Sequence, residues 1–151
     1  MAEIVALLAA CSLPVEDITR ALPLQFFGHR ENGVLVAVIG LEMYPPVALL
    51  RSLAVAPACR GRGLGQELVA YVESFAAVHA LETLFLLTTT AAPFFMRLGY
   101  TPANRHTAPA TIQATSQFSD LCPASAAFLS RQVDKRANYH HEEQPSAILL
   151  L

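Results

Sequence analysis

Residues 50–71 read LRSLAVAPACRGRGLGQELVAY. An apolar strand enters a turn built of Gly and Arg, and an amphipathic helix follows at once. The glycines of Arg60-Gly61-Arg62-Gly63-Leu64-Gly65 let the backbone approach a ligand closely. The helix they open offers unpaired N–H groups and the positive end of its dipole. Together these make an anion site, and phosphate is its usual occupant.

Three phosphate-binding patterns compete for this turn. A Walker loop needs Gly-Lys followed by Ser or Thr, and Gly65-Gln66-Glu67 does not supply it. A dinucleotide fingerprint needs GxGxxG and an acid at the end of the next strand. Here the glycines fall at 61, 63 and 65, and the next strand ends in Thr88-Thr89-Thr90. The third pattern, [Q/R]-x-x-G-x-[G/A], is met in full by Arg60, Gly63 and Gly65.

Upstream, residues 34–42 (VLVAVIGLE) form a nearly continuous apolar run, the mark of a central strand buried on both faces. Tyr44-Pro45-Pro46 breaks it, and residues 47–56 make a second strand closed by Pro57. The two predict an antiparallel hairpin. Centred on Pro45-Pro46, it sets Glu42 opposite Leu49 with Arg51 as diagonal neighbour on the same face; a one-residue slip sends Arg51 to the other face. Further upstream lie a helix over 3–10, with Ile4, Leu7, Leu8 and Cys11 on one stripe, and a strand over 25–30 ended by the turn Glu31-Asn32-Gly33.

Downstream, Leu64, Leu68, Val72, Phe75 and His79 mark one face of a helix over 63–79. A strand over 83–89 follows, then a short helix over 91–98 capped by Gly99, and a strand from Tyr100. Residues 109–118 suggest a helix, 121–125 a loop and 126–133 a last strand. The domain then occupies residues 1–133. The tail, 134–151, is polar before ending in AILLL, and is expected to be disordered or a packing arm. Its His140-His141-Glu142-Glu143 reads as a solvated charge run, not a metal site.

With 151 residues and 54% hydrophobic content, the chain has core enough for one folded domain. A net charge of −2 without a long basic run argues against nucleic acid as partner. Cys11, Cys59 and Cys122 are odd in number and far apart, so neither a disulfide framework nor a zinc site is expected, and a reducing, cytoplasmic setting fits. No apolar run reaches the roughly 20 residues of a membrane span. Leu8-Ala9-Ala10-Cys11 has the form of a lipoprotein cleavage box but lacks a basic segment before it, so the helix reading is preferred.

The segment Leu53-Ala54-Val55-Ala56-Pro57, followed by Arg60-x-x-Gly63-x-Gly65, resembles motif A of the GNAT superfamily of acyl-CoA-dependent N-acyltransferases. Phe94-Phe95-Met96-Arg97-Leu98-Gly99-Tyr100 resembles their LYEKLGF segment, and the likeness runs over residues 3–132. A narrower resemblance, through Leu50 to Val55, Leu86 to Thr90, and Leu121-Cys122-Pro123-Ala124-Ser125, is to a subgroup encoded in bacterial arsenic-resistance operons. The resemblance implies an α/β (α+β) fold, with a mixed, mostly antiparallel sheet splayed at its centre and helices on both faces. GNAT domains usually begin with a strand before the first helix, whereas this sequence starts inside the helix, which puts that sheet edge in doubt.

The resemblance also implies acetyl-CoA as co-substrate, lying between the strands that end at Val55 and Thr88, with no metal. Leu53-Ala54-Val55 would pair with the pantetheine arm, and the Val55 N–H would serve as oxyanion donor. The backbone of Arg60, Gly61, Arg62, Gly63, Leu64 and Gly65 would cradle the pyrophosphate, and Thr88 and Phe95 would flank the arm. An amine attacks the thioester directly in this family, so cysteine nucleophiles are not expected. The family's usual acid, the Tyr of LYEKLGF, is replaced by Phe95, so either the thiolate leaves unprotonated or another hydroxyl serves, with Thr90 and Ser125 as the candidates. Glu42, a carboxylate in an apolar strand, is the candidate base, against the alternative of a salt bridge with Arg51. Arg51 is also a candidate fork for a substrate carboxylate, beside Thr90 on the acceptor side. Expected activity is acetyl transfer to the primary amine of a small, amino-acid-like molecule, by a possible homodimer. The alternatives are protein N-acetylation and a non-catalytic acyl-CoA-binding module.

Overall fold

The structure is a computed structural model, and it describes residues 1–18, 23–121, 125–134 and 148–151. In chain order it contains α1 (Ala2–Ala10), β1 (Leu24–Glu31), β2 (Val34–Tyr44), β3 (Val47–Val55), α2 (Leu64–Val78), β4 (Thr83–Thr88), α3 (Ala92–Arg97), β5 (Thr101–Pro102), α4 (Ala110–Gln113), β6 (Ala127–Gln132) and β7 (Ile148–Leu150). The strands form a single sheet in the order β5-β6-β4-β3-β2-β1-β7, in which β3 and β4 are the parallel pair and all others run antiparallel. The mixed sheet with helices on both faces matches expectation.

Local chemistry explains the hairpins. Asn32 (φ 52°) and Gly33 (φ 79°) both take the left-handed backbone that a two-residue turn between twisted strands demands. In the next hairpin Glu42 faces Leu49 and Tyr44 faces Val47, the register predicted from the Pro45-Pro46 turn. Strand β2 is buried from Leu35 through Glu42, as a strand covered on both faces must be. On one face Leu64, Leu68 and Val72 of α2 pack on Phe27, Ile39, Leu41, Leu50 and Leu86. On the other, Ile4, Leu7 and Leu8 of α1 pack on Phe26, Val38 and Ala54, and Ile112 of α4 on Leu49 and Phe128.

One expectation is corrected. The helix over 109–118 is broken into α4 and a wide turn, Gln117–Leu121. The Thr115 hydroxyl donates to the Ile112 carbonyl at 2.7 Å and accepts the Phe118 N–H at 3.3 Å, competing with the helical ladder. Of the tail, expected to be disordered or a packing arm, Ile148–Leu150 pairs with β1 (Phe27 opposite Leu150, His29 opposite Ile148). An apolar, strand-forming run satisfies an otherwise open edge there. Gly28 makes room, since a Cβ at that position would sit 2.5 Å from a Leu151 methyl carbon. His140 to Glu143 and Cys122 lie outside the described residues.

Candidate active site

The sheet opens where β3 leaves β4. Their parallel pairing runs from Val47 opposite Thr83 to Leu50 opposite Leu86 and stops there. One residue later β3 also loses register with β2. Val38 faces Ala54 but Gly40 faces Arg51, so Ser52 and Leu53 together oppose Ile39. This is a bulge, and Ser52 carries it with φ at +58°. Beyond it Ala56 N–H donates to the Val36 carbonyl at 2.7 Å. In the antiparallel alternation Val55 is therefore a non-hydrogen-bonded position, with its N–H and C=O turned away from β2.

Two cavities meet at this opening. The first, of about 640 Å³, lies at the start of α2 and is bounded by Leu53, Ala54, Val55, Arg60, Gly61, Gly63, Leu64 and Gly65, with Cys11 and Phe94 across from them. The second, of about 300 Å³, lies under the splayed strands, bounded by Ser12, Arg51, Ser52, Thr88, Phe95 and Gln117. Leu13, Leu53, Thr90 and Ala91 border both.

The first cavity fits a phosphate-bearing ligand. Gly63 caps α2 with φ at +81°, and no side chain caps its first amides, so they remain open to an anion. Gly61 shares the left-handed backbone at +80°. A Cβ at Gly65 would meet Phe94 at 3.6 Å, so α3 seats directly against the helix start. Arg60 turns back on its own strand: Nε donates to the Val55 carbonyl at 3.0 Å. Arg62 does not border the cavity. Its guanidinium forks onto both oxygens of Glu31, with Nη1–Oε1 at 3.0 Å. Arg62 is the largest influence holding the Glu31 carboxyl below its usual range.

The second cavity collects Thr88, Thr90, Phe95 and Arg51 from the sequence-derived set. Phe95 is buried edge-on between Phe94 and Tyr100. Thr88 Oγ1 accepts the Ala91 N–H at 2.9 Å and so shapes the loop that carries Thr90. Glu42 and Ser125 fall elsewhere. Ser125 is exposed in the turn before β6 and borders neither cavity. Glu42 is 1% exposed, with Oε1 on Arg51 Nη1 and Oε2 on the Tyr44 hydroxyl, both at 2.7 Å. The salt-bridge alternative is the one the geometry adopts.

Arg51 is also claimed by a residue that sequence reading passed over. Asp17 receives its guanidinium as a fork, at 2.6 and 2.7 Å, from the connection after α1. Burial works against the Arg51 charge, and the hydrogen bonds to Asp17 and Glu42 outweigh it, leaving its pKa above the usual arginine value. Burial, then the Glu42 hydrogen bond, pushes the Tyr44 hydroxyl well above the ordinary tyrosine range. The fork expected for a substrate carboxylate is thus already filled. Asp17 carried a faint signal, an acid in a turn ahead of a buried arginine. Ser12, Cys11 and Gln117 carried none, because only the fold brings them to the cavity walls. Among the described residues no cluster of His, Cys, Asp or Glu is arranged to hold a metal, and no helix is long and apolar enough to cross a membrane.

The Acetyltransferase (GNAT) family model matches residues 7–100. An amino-acid acetyltransferase of Ectopseudomonas mendocina is 37% identical over 90 residues, 57% of this chain and 20% of that protein. The chain thus spans about one fifth of the curated relatives it matches. Among solved structures, N-acetylglutamate synthase from Neisseria gonorrhoeae, complexed with coenzyme A and N-acetyl-glutamate, superposes with a TM-score of 0.76 at 19% identity, over 89% of this chain and 33% of that one. A GNAT-family acetyltransferase from Staphylococcus aureus Mu50 superposes at 0.71 with 15% identity, over 88% and 92%. At such identities these two share the fold.

Proposed function

The chain belongs to the GNAT acetyltransferase family, and on that premise we propose that it transfers acetyl from acetyl-CoA to the primary amine of a small molecule. The observation that carries this reading is the meeting of two cavities at Leu13, Leu53, Thr90 and Ala91. One has the backbone of a pyrophosphate cradle, and the other is a space under the splayed strands for an amine. The pyrophosphate lies over the open amides of Leu64 and Gly65. The pantetheine runs along Leu53 and Val55, whose outward backbone groups receive it. The thioester then lies at the junction, and the amine attacks from the second cavity.

Attack forms the C–N bond and places negative charge on the acetyl oxygen, which the Val55 N–H is positioned to stabilise. Collapse breaks the C–S bond. Thr90 is the one side-chain hydroxyl common to the walls of both cavities among the described residues, so it, rather than Ser125, is assigned to the departing thiolate. The amine's proton leaves through water, since Glu42 is engaged and sealed. Relatives named amino-acid acetyltransferases, and the resemblance to arsenic-resistance acetyltransferases, both support an amino-acid-like acceptor. With the Arg51 fork filled by Asp17, recognition of such an acceptor rests on Ser12, Thr89 and Thr90 of the second cavity's wall. The cysteine pattern supports a cytoplasmic setting.

The test is binding followed by turnover. Coenzyme A and acetyl-CoA should raise the melting temperature. Thiol release should then appear with some member of an amine panel that includes amino acids and arsenic-containing amino acids. Stabilisation without thiol release would favour a non-catalytic acyl-CoA-binding module; acetylation of peptides alone would favour protein N-acetylation. Absence of stabilisation by either coenzyme would end the reading.

A further inference from the structure

Ser52 is neither Gly nor Asn, yet it holds a left-handed backbone at the point where β3 parts from both neighbours. An L-residue with a Cβ avoids that conformation unless something holds it there. The holder is beside it: Arg51 Nε donates to Ser52 Oγ at 3.0 Å. Arg51 itself cannot swing. Its Nη1 bonds Asp17 at 2.6 Å and Glu42 at 2.7 Å, its Nη2 bonds Asp17 at 2.7 Å, and its guanidinium is enclosed. Glu42 is in turn fixed by the Tyr44 hydroxyl. The stem of Arg51 passes over Gly40, where an added Cβ would already touch Arg51 Cγ at 3.4 Å and Phe26 at 3.1 Å.

We propose that Asp17, Arg51 and Glu42 form a buried clamp that sets Ser52, and through it the bulge, so that β3 turns from β4 and opens the acyl-CoA cleft. The clamp residues are positioning residues. Their charged groups are spent on one another rather than on a ligand, and they act by fixing where Leu53 and Val55 present their backbone groups. The arrangement also gives an arginine flanked by two carboxylates a role that a well-packed apolar set could not fill. Such buried ion sets contribute little net stability, and their best-attested use is to select one geometry. Asp17 extends the clamp to the connection that follows Ser12, Leu13 and Pro14, which wall the second cavity. One charge set therefore fixes the strand beneath the thioester and the wall beside the amine. The kinetic part of this proposal rests on the acetyl-transfer reading.

The test compares backgrounds. Arg51→Lys keeps one charge but cannot reach Asp17, Glu42 and Ser52 together. It should raise KM for acetyl-CoA at least about tenfold, with kcat changed less. Ser52→Gly adopts the left-handed backbone unaided, so its KM for acetyl-CoA should stay close to the wild-type value, Ser52→Ala should raise that KM several-fold, and Arg51→Lys placed on Ser52→Gly should lose most of its effect on it. An equal penalty for Arg51→Lys in both backgrounds would overturn the clamp. So would identical KM values for Ser52→Gly and Ser52→Ala, a comparison that stands even where Arg51→Lys fails to fold. A readout without activity is amide hydrogen exchange on the ligand-free protein. Ser52→Ala should slow exchange at Leu53 and Val55 as β3 relaxes toward β4, whereas Ser52→Gly should not. Unchanged exchange overturns the clamp; normal exchange behaviour with no coenzyme binding by the wild-type chain overturns the acetyl-transfer reading instead.

Discussion

The Arg60 Nε–H donates to the Val55 carbonyl at 3.0 Å while Arg60 Nη2 reaches the Cys11 sulfur at 3.5 Å. A residue of the anion-binding turn thus occupies the very carbonyl that a pantetheine amide would use. In the acetyl-transfer reading, the complete coenzyme competes with Arg60 for this carbonyl, whereas its nucleotide end alone does not.

Arg60→Ala is therefore expected to act unequally on the two ligands. A nucleotide fragment carrying the pyrophosphate but no pantetheine should lose roughly five- to tenfold in affinity, as a cation near phosphate is removed. Intact CoA should lose clearly less, because the freed Val55 carbonyl is regained by the ligand. Calorimetric titration of both ligands measures this, and equal losses would refute it.

Thr90 offers the second prediction. Thr90 borders both cavities, while the ring of Phe95 has no proton to give. Thr90→Val, nearly isosteric, should lower kcat by about ten- to a hundredfold, at the low end of what a positioned proton donor contributes. KM for acetyl-CoA should hardly move. Adding Phe95→Tyr to Thr90→Val should restore part of the loss, since Phe95 lines the same cavity. A Thr90→Val enzyme with unaltered kcat would leave the thiolate to depart unassisted.

A third prediction concerns pH and lies away from the chemistry. Glu73 on α2 accepts the Tyr100 hydroxyl at 2.9 Å and Arg131 Nη1 at 3.1 Å. Burial is the strongest influence on it and pushes its pKa above 4.5 despite those two partners. A carboxyl whose folded pKa is raised binds its proton more tightly folded than unfolded. Its stabilising effect is complete below the unfolded value and is lost as pH climbs through the folded value. Glu73→Gln should flatten that decline, so the variant loses less stability than wild type from about pH 4 upward. Denaturant melts across pH settle it; parallel curves for the two proteins would show that Glu73 does not titrate in this way.

The strands, the central hairpin and its register were legible because apolar runs and the Pro45-Pro46 and Asn32-Gly33 turns specify them locally. So was the glycine-rich helix start, where Gly63 both caps α2 and leaves its amides open. What escaped was long-range. Asp17 stands 34 residues from Arg51, and no periodicity joins them. The pairing of Ile148–Leu150 with β1 crosses most of the chain. The bulge at Ser52 has no glycine to announce it, since its left-handed backbone comes with buried charges and not with a permissive residue. Glu42 was singled out correctly as a buried acid, but the sequence holds no means of telling a poised base from a clamped anion. That distinction belongs to the oxygen partners, Arg51 and the Tyr44 hydroxyl.

The last prediction turns on Arg62. It lies in the anion-binding turn yet forks onto Glu31 at the end of β1, with His29 Nε2 at 3.3 Å and the Cys59 sulfur at 4.0 Å from the same carboxylate. Glu31 therefore does two things to an arriving pyrophosphate: it occupies a nearby cation, and it sets a negative charge beside the cradle. The pair is partly solvated, so its hold is modest and screened by salt. Glu31→Gln should release Arg62 toward the ligand and tighten CoA binding by about two- to fivefold at an ionic strength near 0.01 M, where charges are felt over roughly 30 Å. At about 1 M salt, with a screening length of roughly 3 Å, the advantage should vanish. Arg62→Gln supplies the control: it should weaken low-salt binding only slightly, because the cation it removes was already spoken for. Weaker binding by Glu31→Gln, or a gain indifferent to salt, would mean that Glu31 supports the turn's shape rather than competing for its charge.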